Sequence, residues 1–222
     1  MITDSKRWIG ILENEIPQVI SSWEDHFKSW NSFTKNYILF KYEEILSNPE
    51  MQIKRLIELT GEILELPKGF KVAIVPGSDT GAFELLMWSL LGKNETTMLA
   101  WESFGNDWAE DAVDQLNLAD CRVHRAGYGD LPKLTSVARN ADVCFTWNGT
   151  TSGVRVPNAN WIEKNDDRLV LCDATSAVFS QELDWEKLDA ASFSWQKVLG
   201  GEGGHGVIVL SLIHISEPTR PY

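Results

Sequence analysis

The sequence predicts an α/β fold: a mostly parallel sheet with helices on both faces, preceded by a mainly helical N-terminal segment. Two observations point to the sheet. From residue 70 onward, short apolar runs alternate with helical stretches in a repeated strand, loop, helix order, and this order layers helices over parallel strands. The 222 residues are 43% apolar and 23% charged, a globular balance that leaves no room for general disorder. A third observation separates the N-terminal segment. In residues 1–66, Ile9, Ile11, Leu12, Ile16, Val19, Ile20 and Trp23 recur at three- and four-residue steps, the period of a helix face.

The elements follow in order. Tyr37–Phe40 reads as a short strand within the helical segment. Ser47-Asn-Pro-Glu50 then opens a helix, with a polar cap, proline in the first turn and an acid beside it, all favourable at a helix start. Ile53, Leu56, Ile57, Leu59 and Ile63 form its apolar side, and Pro67 stops it. Lys71–Val75 is a buried strand, Pro76-Gly-Ser-Asp-Thr-Gly81 a loop, and Ala82–Leu91 a helix. Thr97–Trp101 is the next strand and Asp107–Leu116 the next helix. Cys121–His124, Asp142–Trp147, Arg168–Cys172, Ala191–Trp195 and Gly206–Leu210 are further short apolar strands. In a sheet of this kind chemistry gathers at the carboxyl ends of the strands. Ser211–Tyr222 breaks off after a strand with no helix to cover it, which predicts a truncated domain followed by an unrelated tail over 212–222.

Lys and Arg number 20 against 32 Asp and Glu, a net charge of −12, and most of that acidity lies beyond residue 60. Such a surface repels phosphate backbones, so nucleic acid and anionic membranes are poor partners. Residues 1–10 lack the apolar core of a signal peptide, and the longest apolar run, near Gly206–Ile215, falls short of the ~20 residues a membrane helix needs. Cys121, Cys144 and Cys172 include no CxxC pair and sit in or beside apolar runs, where reduced core thiols belong. These features predict a soluble, cytoplasmic protein acting on small molecules.

Several residues could carry chemistry. Pro76-Gly-Ser-Asp-Thr-Gly81 links a strand to a helix, so its backbone N–H groups face whatever sits above the helix start, a place that favours an anion such as phosphate. Taken alone, it reads equally well as a cap made by Ser78, Asp79 or Thr80. It is not a Walker loop, since GxxxxGK[ST] is absent. Gly201–Gly206 matches GxGxxG but precedes a strand, the wrong context for a dinucleotide; it reads as a turn that makes room. Asp173 follows one strand and Lys197, 24 residues on, follows the next, which places both at the same sheet edge. That pair suits pyridoxal phosphate, with the lysine forming a Schiff base and the carboxylate keeping the pyridine nitrogen protonated. On spacing alone, a surface lysine and a helix-capping aspartate are the plainer reading.

The flanking residues change that balance. Trp195-Gln-Lys-Val-Leu-Gly-Gly201, Asp173-Ala-Thr-Ser176, Val75-Pro-Gly-Ser-Asp-Thr-Gly-Ala82 and Trp147-Asn-Gly-Thr-Thr-Ser-Gly-Val154 together resemble the phosphoserine aminotransferases. These are class-V, fold-type I enzymes that use pyridoxal 5′-phosphate. The resemblance runs over about 53–211, and four motifs in order make it specific. It implies a truncated large domain of that fold and amino transfer from L-glutamate to 3-phosphohydroxypyruvate, giving O-phosphoserine and 2-oxoglutarate in L-serine biosynthesis. By resemblance, Lys197 holds the cofactor and shuttles the α-proton, and Asp173 pairs with the ring nitrogen. Trp108 stacks on the ring, although a helix-core role is open to it, and Thr150 bonds the ring hydroxyl side. Ser78 and Asp79, mainly through backbone N–H groups, and Gln196 hold the phosphate, with Thr80 nearby. His205 matches no catalytic position and reads as structural. The family builds its site across a homodimer and clamps substrate with an N-terminal His-Arg pair and a C-terminal domain. Neither clamp is matched here. Two other readings remain open: another class-V enzyme, such as an alanine–glyoxylate type aminotransferase or a cysteine desulfurase, and a non-catalytic hybrid that has kept the sheet.

Residues 1–61 carry a different resemblance. Trp23–Trp30 and the run from Tyr37 to Glu50, a strand ending near a Tyr-Glu pair and leading to a proline-started helix, resemble the later half of sulfotransferases. That family's phosphosulfate loop has no counterpart here, so no sulfuryl transfer follows. His26 reads as a helix-face residue. The expected organisation is a helical segment over 1–52, an aminotransferase-like domain over 53–211, and the tail.

Overall fold

The computed structural model describes residues 9–13, 16–20, 42–165 and 167–212. The chain divides into two units, Met1–Gln52 and Ile53–Tyr222. In the first, β1 (Ile9–Glu13) and β2 (Ile16–Ile20) pair antiparallel, with Ile9 opposite Ile20 and Glu13 opposite Ile16. This corrects the expected helix. The isoleucines of this stretch satisfy an alternating period as well as a helical one, and β-branched side chains favour the pleated surface. Pro17 would also disrupt a helix interior, whereas a two-stranded sheet, being all edge, accepts it. The strand expected at Tyr37–Phe40, the Trp23–Trp30 stretch with His26, and 213–222 lie outside the described residues. The short helix α1 (Tyr42–Ser47) follows.

Helix α2 (Pro49–Ile63) starts as its sequence predicts: the Met51 N–H donates to Asn48 Oδ1 at 3.2 Å, with Pro49 in the first turn. It ends where Glu65 turns into the left-handed region (φ +51°) and the Leu66 N–H reaches back to the Gly61 carbonyl at 3.1 Å, a closure that Pro67 keeps from continuing.

Seven strands form the main sheet: β3 (Phe70–Pro76), β4 (Thr96–Ala100), β5 (Cys121–Arg125), β6 (Asp142–Thr146), β7 (Val170–Asp173), β8 (Ala190–Ser194) and β9 (His205–Ser211). Their order is β3-β9-β8-β7-β6-β4-β5. The pairs β8–β7, β7–β6, β6–β4 and β4–β5 are parallel, and β9 runs antiparallel to both its neighbours. Six strands therefore point one way and bring their carboxyl ends to one edge, where β9 begins. All seven match the expected runs to within one or two residues, except that Asp173 is the last residue of its strand. The central strands β4, β6, β7 and β8 are buried throughout, whereas the border strand β5 is half exposed and carries Arg122, His124 and Arg125, charges that blunt an edge.

One sheet face is covered by α3 (Ser78–Leu90) and α4 (Ser103–Glu110). Ala82, Phe83, Leu86, Met87 and Trp108 pack there against Met98, Ala100, Cys144, Leu171, Ala190 and Ile208. Each large side chain buried in this way contributes about 1.5–3 kcal/mol. The expected helix over 107–116 begins four residues earlier and changes character: 111–115 form a π turn, with the Leu116 N–H donating to the Asp111 carbonyl at 2.8 Å. On the other face, Leu99, Val143, Phe145, Phe193 and Val207 pack under the connecting segments, including Ile162, Val178 and Trp185. Cys144 and Cys172 are buried free thiols, and Cys121 is half-buried. Burial pushes all three up from their ordinary range. No helix among the described residues is long and apolar enough to cross a membrane.

Candidate active site

The site is built at the carboxyl edge of the sheet, beginning with the turn from β3 into α3. Gly77 and Ser78 both lie in the left-handed region (φ +91° and +62°), free of cost for the glycine and strained for the serine. The Gly81 N–H is the first to bond back, to the Gly77 carbonyl at 2.9 Å. The N–H groups of Ser78, Asp79 and Thr80 thus have no acceptor within the helix, and no side chain caps it. The reading of this loop as a side-chain cap is set aside by that geometry. What remains is an open helix start with partial positive charge, suited to an anion.

The first turn of α3 sits close to the sheet because β9 carries glycine at position 206. A Cβ there would stand 2.2 Å from the Ser78 carbonyl oxygen and 2.5 Å from the Ala82 Cβ. The room made by the glycine-rich turn is room for this helix. The turn does precede a strand, and His205 is exposed opposite Pro76.

Asp173 ends β7 on the face that α3 and α4 cover, 8% exposed. Its Oδ2 accepts from the Trp108 indole N–H at 3.2 Å and its Oδ1 from the Thr175 backbone N–H at 3.0 Å. Trp108 is 3% exposed and packs on the Phe83 ring with centroids 5.1 Å apart. It therefore has the helix-core place that its sequence left open, and adds a bond that orients Asp173. Asp79, 7% exposed, lies in the same cluster. Burial pushes its carboxyl well above the usual carboxylate range, and the Asp173 charge beside it adds to the rise; the Ser192 and Thr175 hydroxyls pull it back.

The other candidates lie around this centre. Thr150, exposed, shares a 2.5 Å hydrogen bond with the Ser176 hydroxyl, linking the loop after β6 to the one after β7. Gln196 and Lys197 are exposed on the turn after β8. That turn is closed by the Gly201 N–H on the Trp195 carbonyl at 2.8 Å and the Gly200 N–H on the Lys197 carbonyl at 3.0 Å. The Lys197 amine makes no hydrogen bond or ion pair among the described residues. Thr80 is exposed on α3 and Ser78 half-buried. The structure thus joins Asp79, Trp108 and Asp173 in one contact network and Thr150 with Ser176, while Ser78, Thr80, Gln196 and Lys197 share the sheet edge without bonding to that network.

Sequence reasoning missed Glu102. It is fully buried just after β4, accepts from the Gly105 N–H at 2.6 Å, and accepts from the Thr151 hydroxyl at 3.1 Å. It thereby caps α4 and ties it to the 148–153 loop, where a Cβ on Gly149 would stand 2.5 Å from the Glu102 Cγ. An acid directly between an apolar strand and a helix was the signal for it. Ser192, beside Asp173 in the β7–β8 register, was also missed; a lone serine in an apolar run carries little information.

Known proteins resemble this chain in sequence and fold. The phosphoserine aminotransferases of Methanosarcina barkeri and Methanosarcina mazei are each 53% identical over 160 residues, 72% of this chain and 43% of theirs. The chain thus spans less than half the length of these relatives. A crystal structure of a phosphoserine aminotransferase from Cytophaga hutchinsonii superposes with a TM-score of 0.64 at 25% identity, covering 78% of this chain and 53% of that one. The family described as aminotransferase class-V matches residues 95–217. That span is more than half of the sequence and contains Trp108, Asp173 and Lys197, and the chain belongs to the class-V aminotransferase family.

Proposed function

We propose that the protein is a pyridoxal 5′-phosphate-dependent transaminase of the phosphoserine aminotransferase type, transferring the amino group of L-glutamate to 3-phosphohydroxypyruvate to give O-phosphoserine and 2-oxoglutarate. The observation that carries this reading is Asp173: a buried carboxyl fixed by two N–H donors at the end of β7, with Lys197 on the turn that follows the adjacent β8. The Methanosarcina relatives, named for this reaction, support the choice of substrates.

The residues present fit the cofactor. The uncapped start of α3 suits its phosphate, and Asp173 suits a protonated ring nitrogen. The Thr146 and Ser194 hydroxyls at the same edge are buried with no hydrogen-bond partner among the described residues, a state that suits a polar site built for a ligand. Ser78, Asp79 and Thr80, through backbone N–H groups, and Gln196 would hold the phosphate, Thr150 the ring hydroxyl side, and Lys197 the covalent link. When bound, the cofactor supplies an electron sink for charge developing on the substrate α-carbon. The Asp173 carboxyl, 8% exposed, would orient the ring and balance its charge with little competition from water. The Lys197 amine moves the proton at the substrate α-carbon, acting as base and then as acid. The same reading carries a cytoplasmic location, where three free cysteines stay reduced, and homodimeric assembly.

The test is direct. Purified protein given pyridoxal phosphate is expected to develop a visible absorption band that Lys197→Ala abolishes, and the band is expected to change on addition of L-glutamate. Wild-type protein that stays colourless overturns the reading and leaves a sheet without catalysis.

A further inference from the structure

The reading above uses the backbone of Asp79 and leaves its side chain without a task. That side chain is buried beneath the first turn of α3, against the sheet face that carries Asp173 and Ser192. Helix α3 packs on β7, β8, β9 and β3, and Gly206 allows its first turn to come this close. The β7 strand faces Asp79 with the Asp173 carboxyl, and the Cys172 thiol at the preceding position is the other titratable group that feels it. From β8 comes the Ser192 hydroxyl and from the segment after β7 the Thr175 hydroxyl; Gly206 and Ile208 of β9 bring no charge.

Two adjacent carboxyls in a dry site cannot both hold a charge cheaply. The hydrogen bonds decide which one does. Both oxygens of Asp173 already accept from N–H groups, the arrangement that stabilises a carboxylate. Asp79 lies buried beside Asp173 with only the Ser192 and Thr175 hydroxyls to offset that, and its Oδ1 has no hydrogen-bond partner among the described residues, so burial and the neighbouring charge favour its neutral acid. We propose that Asp79 is a positioning residue for Asp173: its neutral carboxyl donates a hydrogen bond to the Asp173 carboxylate, so that the pair shares one proton and presents a single negative charge. That this charge faces a pyridine ring rests on the cofactor reading; the shared proton does not.

The experiment uses the protein without added cofactor, labelled with 13C at the aspartate carboxyls, and follows their NMR shifts from pH 4 to 8. One aspartate is expected to titrate well above the ordinary carboxylate range. That signal is expected to vanish in Asp79→Asn, and in Asp173→Asn to titrate lower by about one pH unit or more, a tenfold change in proton affinity. A second reading comes from urea midpoints. An acid whose folded pKa is raised stabilises the fold fully below its unfolded value, near ~4, and loses that contribution as the pH climbs through the folded value. Wild type is therefore expected to lose stability relative to Asp79→Asn as the pH rises. Absence of an aspartate that titrates above the ordinary range, its persistence in Asp79→Asn, or parallel stability curves for the two proteins overturns the proposal. A shared proton in a protein that never takes up pyridoxal phosphate would leave the proposal standing and fail the cofactor reading alone.

Discussion

Asp173 owes its orientation to a bond that spans 65 residues of chain, from the Trp108 indole. Trp108→Phe keeps an aromatic ring against Phe83 and removes the N–H donor along with the smaller ring of the indole. It is expected to lower stability by about 1–3 kcal/mol, the range for a hydrogen bond to a charged group and a partner left unsatisfied. Urea denaturation reads this, and an unchanged midpoint would contradict the role given to the indole. At this scale the sequence was legible where chemistry and spacing coincide. Asp173 and Lys197 follow successive strands and stand out for that reason. The Trp108 bond was not legible, because no local period links a helix indole to a strand carboxyl. Nor was the burial of Asp79: an acid in a first helical turn ordinarily faces solvent and the helix dipole, and only the close approach of α3 to β9 turns it inward.

That approach is a property of two elements, and one atom tests it. Gly206→Ala places a methyl 2.2 Å from the Ser78 carbonyl, so α3 must lift from β9. A loss of about 1–3 kcal/mol is expected, as for other overpacked sites, together with weaker uptake of pyridoxal phosphate at the displaced helix start. Gly204→Ala, with no atom within 4 Å of its Cβ, is the control expected to behave as wild type. Equal behaviour of the two variants, measured by urea midpoint, would contradict the packing described. The seven strands of the main sheet were readable because central parallel strands need continuous apolar runs, which Asp142–Thr146 and Ala190–Ser194 supply. The β1–β2 pair reads as helix in the sequence because five-residue strands rich in isoleucine, such as Ile16–Ile20, fit two periods at once. The π turn at 111–115 was invisible, since one extra residue in a helix leaves its apolar pattern nearly intact.

Across the whole molecule, burial is graded from the centre of the sheet to its border, and stability should be graded with it. Hydrogen exchange is expected to be slowest at the amides of β6, β7 and β8, which are buried on both faces, and faster at the half-exposed β5. Mass spectrometry of exchanged peptides reads the order, and β5 protected as strongly as β7 would contradict it. The net charge of −12 makes the open start of α3 notable: in a protein this acidic, the uncapped N–H groups there offer partial positive charge. The family could be recognised from sequence because its motifs sit in the loops at one sheet edge, while the hydrogen bonds among them depend on distant strands coming together. Lys197 is the proposed anchor of pyridoxal phosphate at that edge. The most direct measurement is to treat the protein with pyridoxal phosphate, reduce it with borohydride, and map the pyridoxyl group by peptide mass spectrometry. The expected result is one modified residue, Lys197, with no modification in Lys197→Ala; label spread over other lysines, or none at Lys197, would contradict the account.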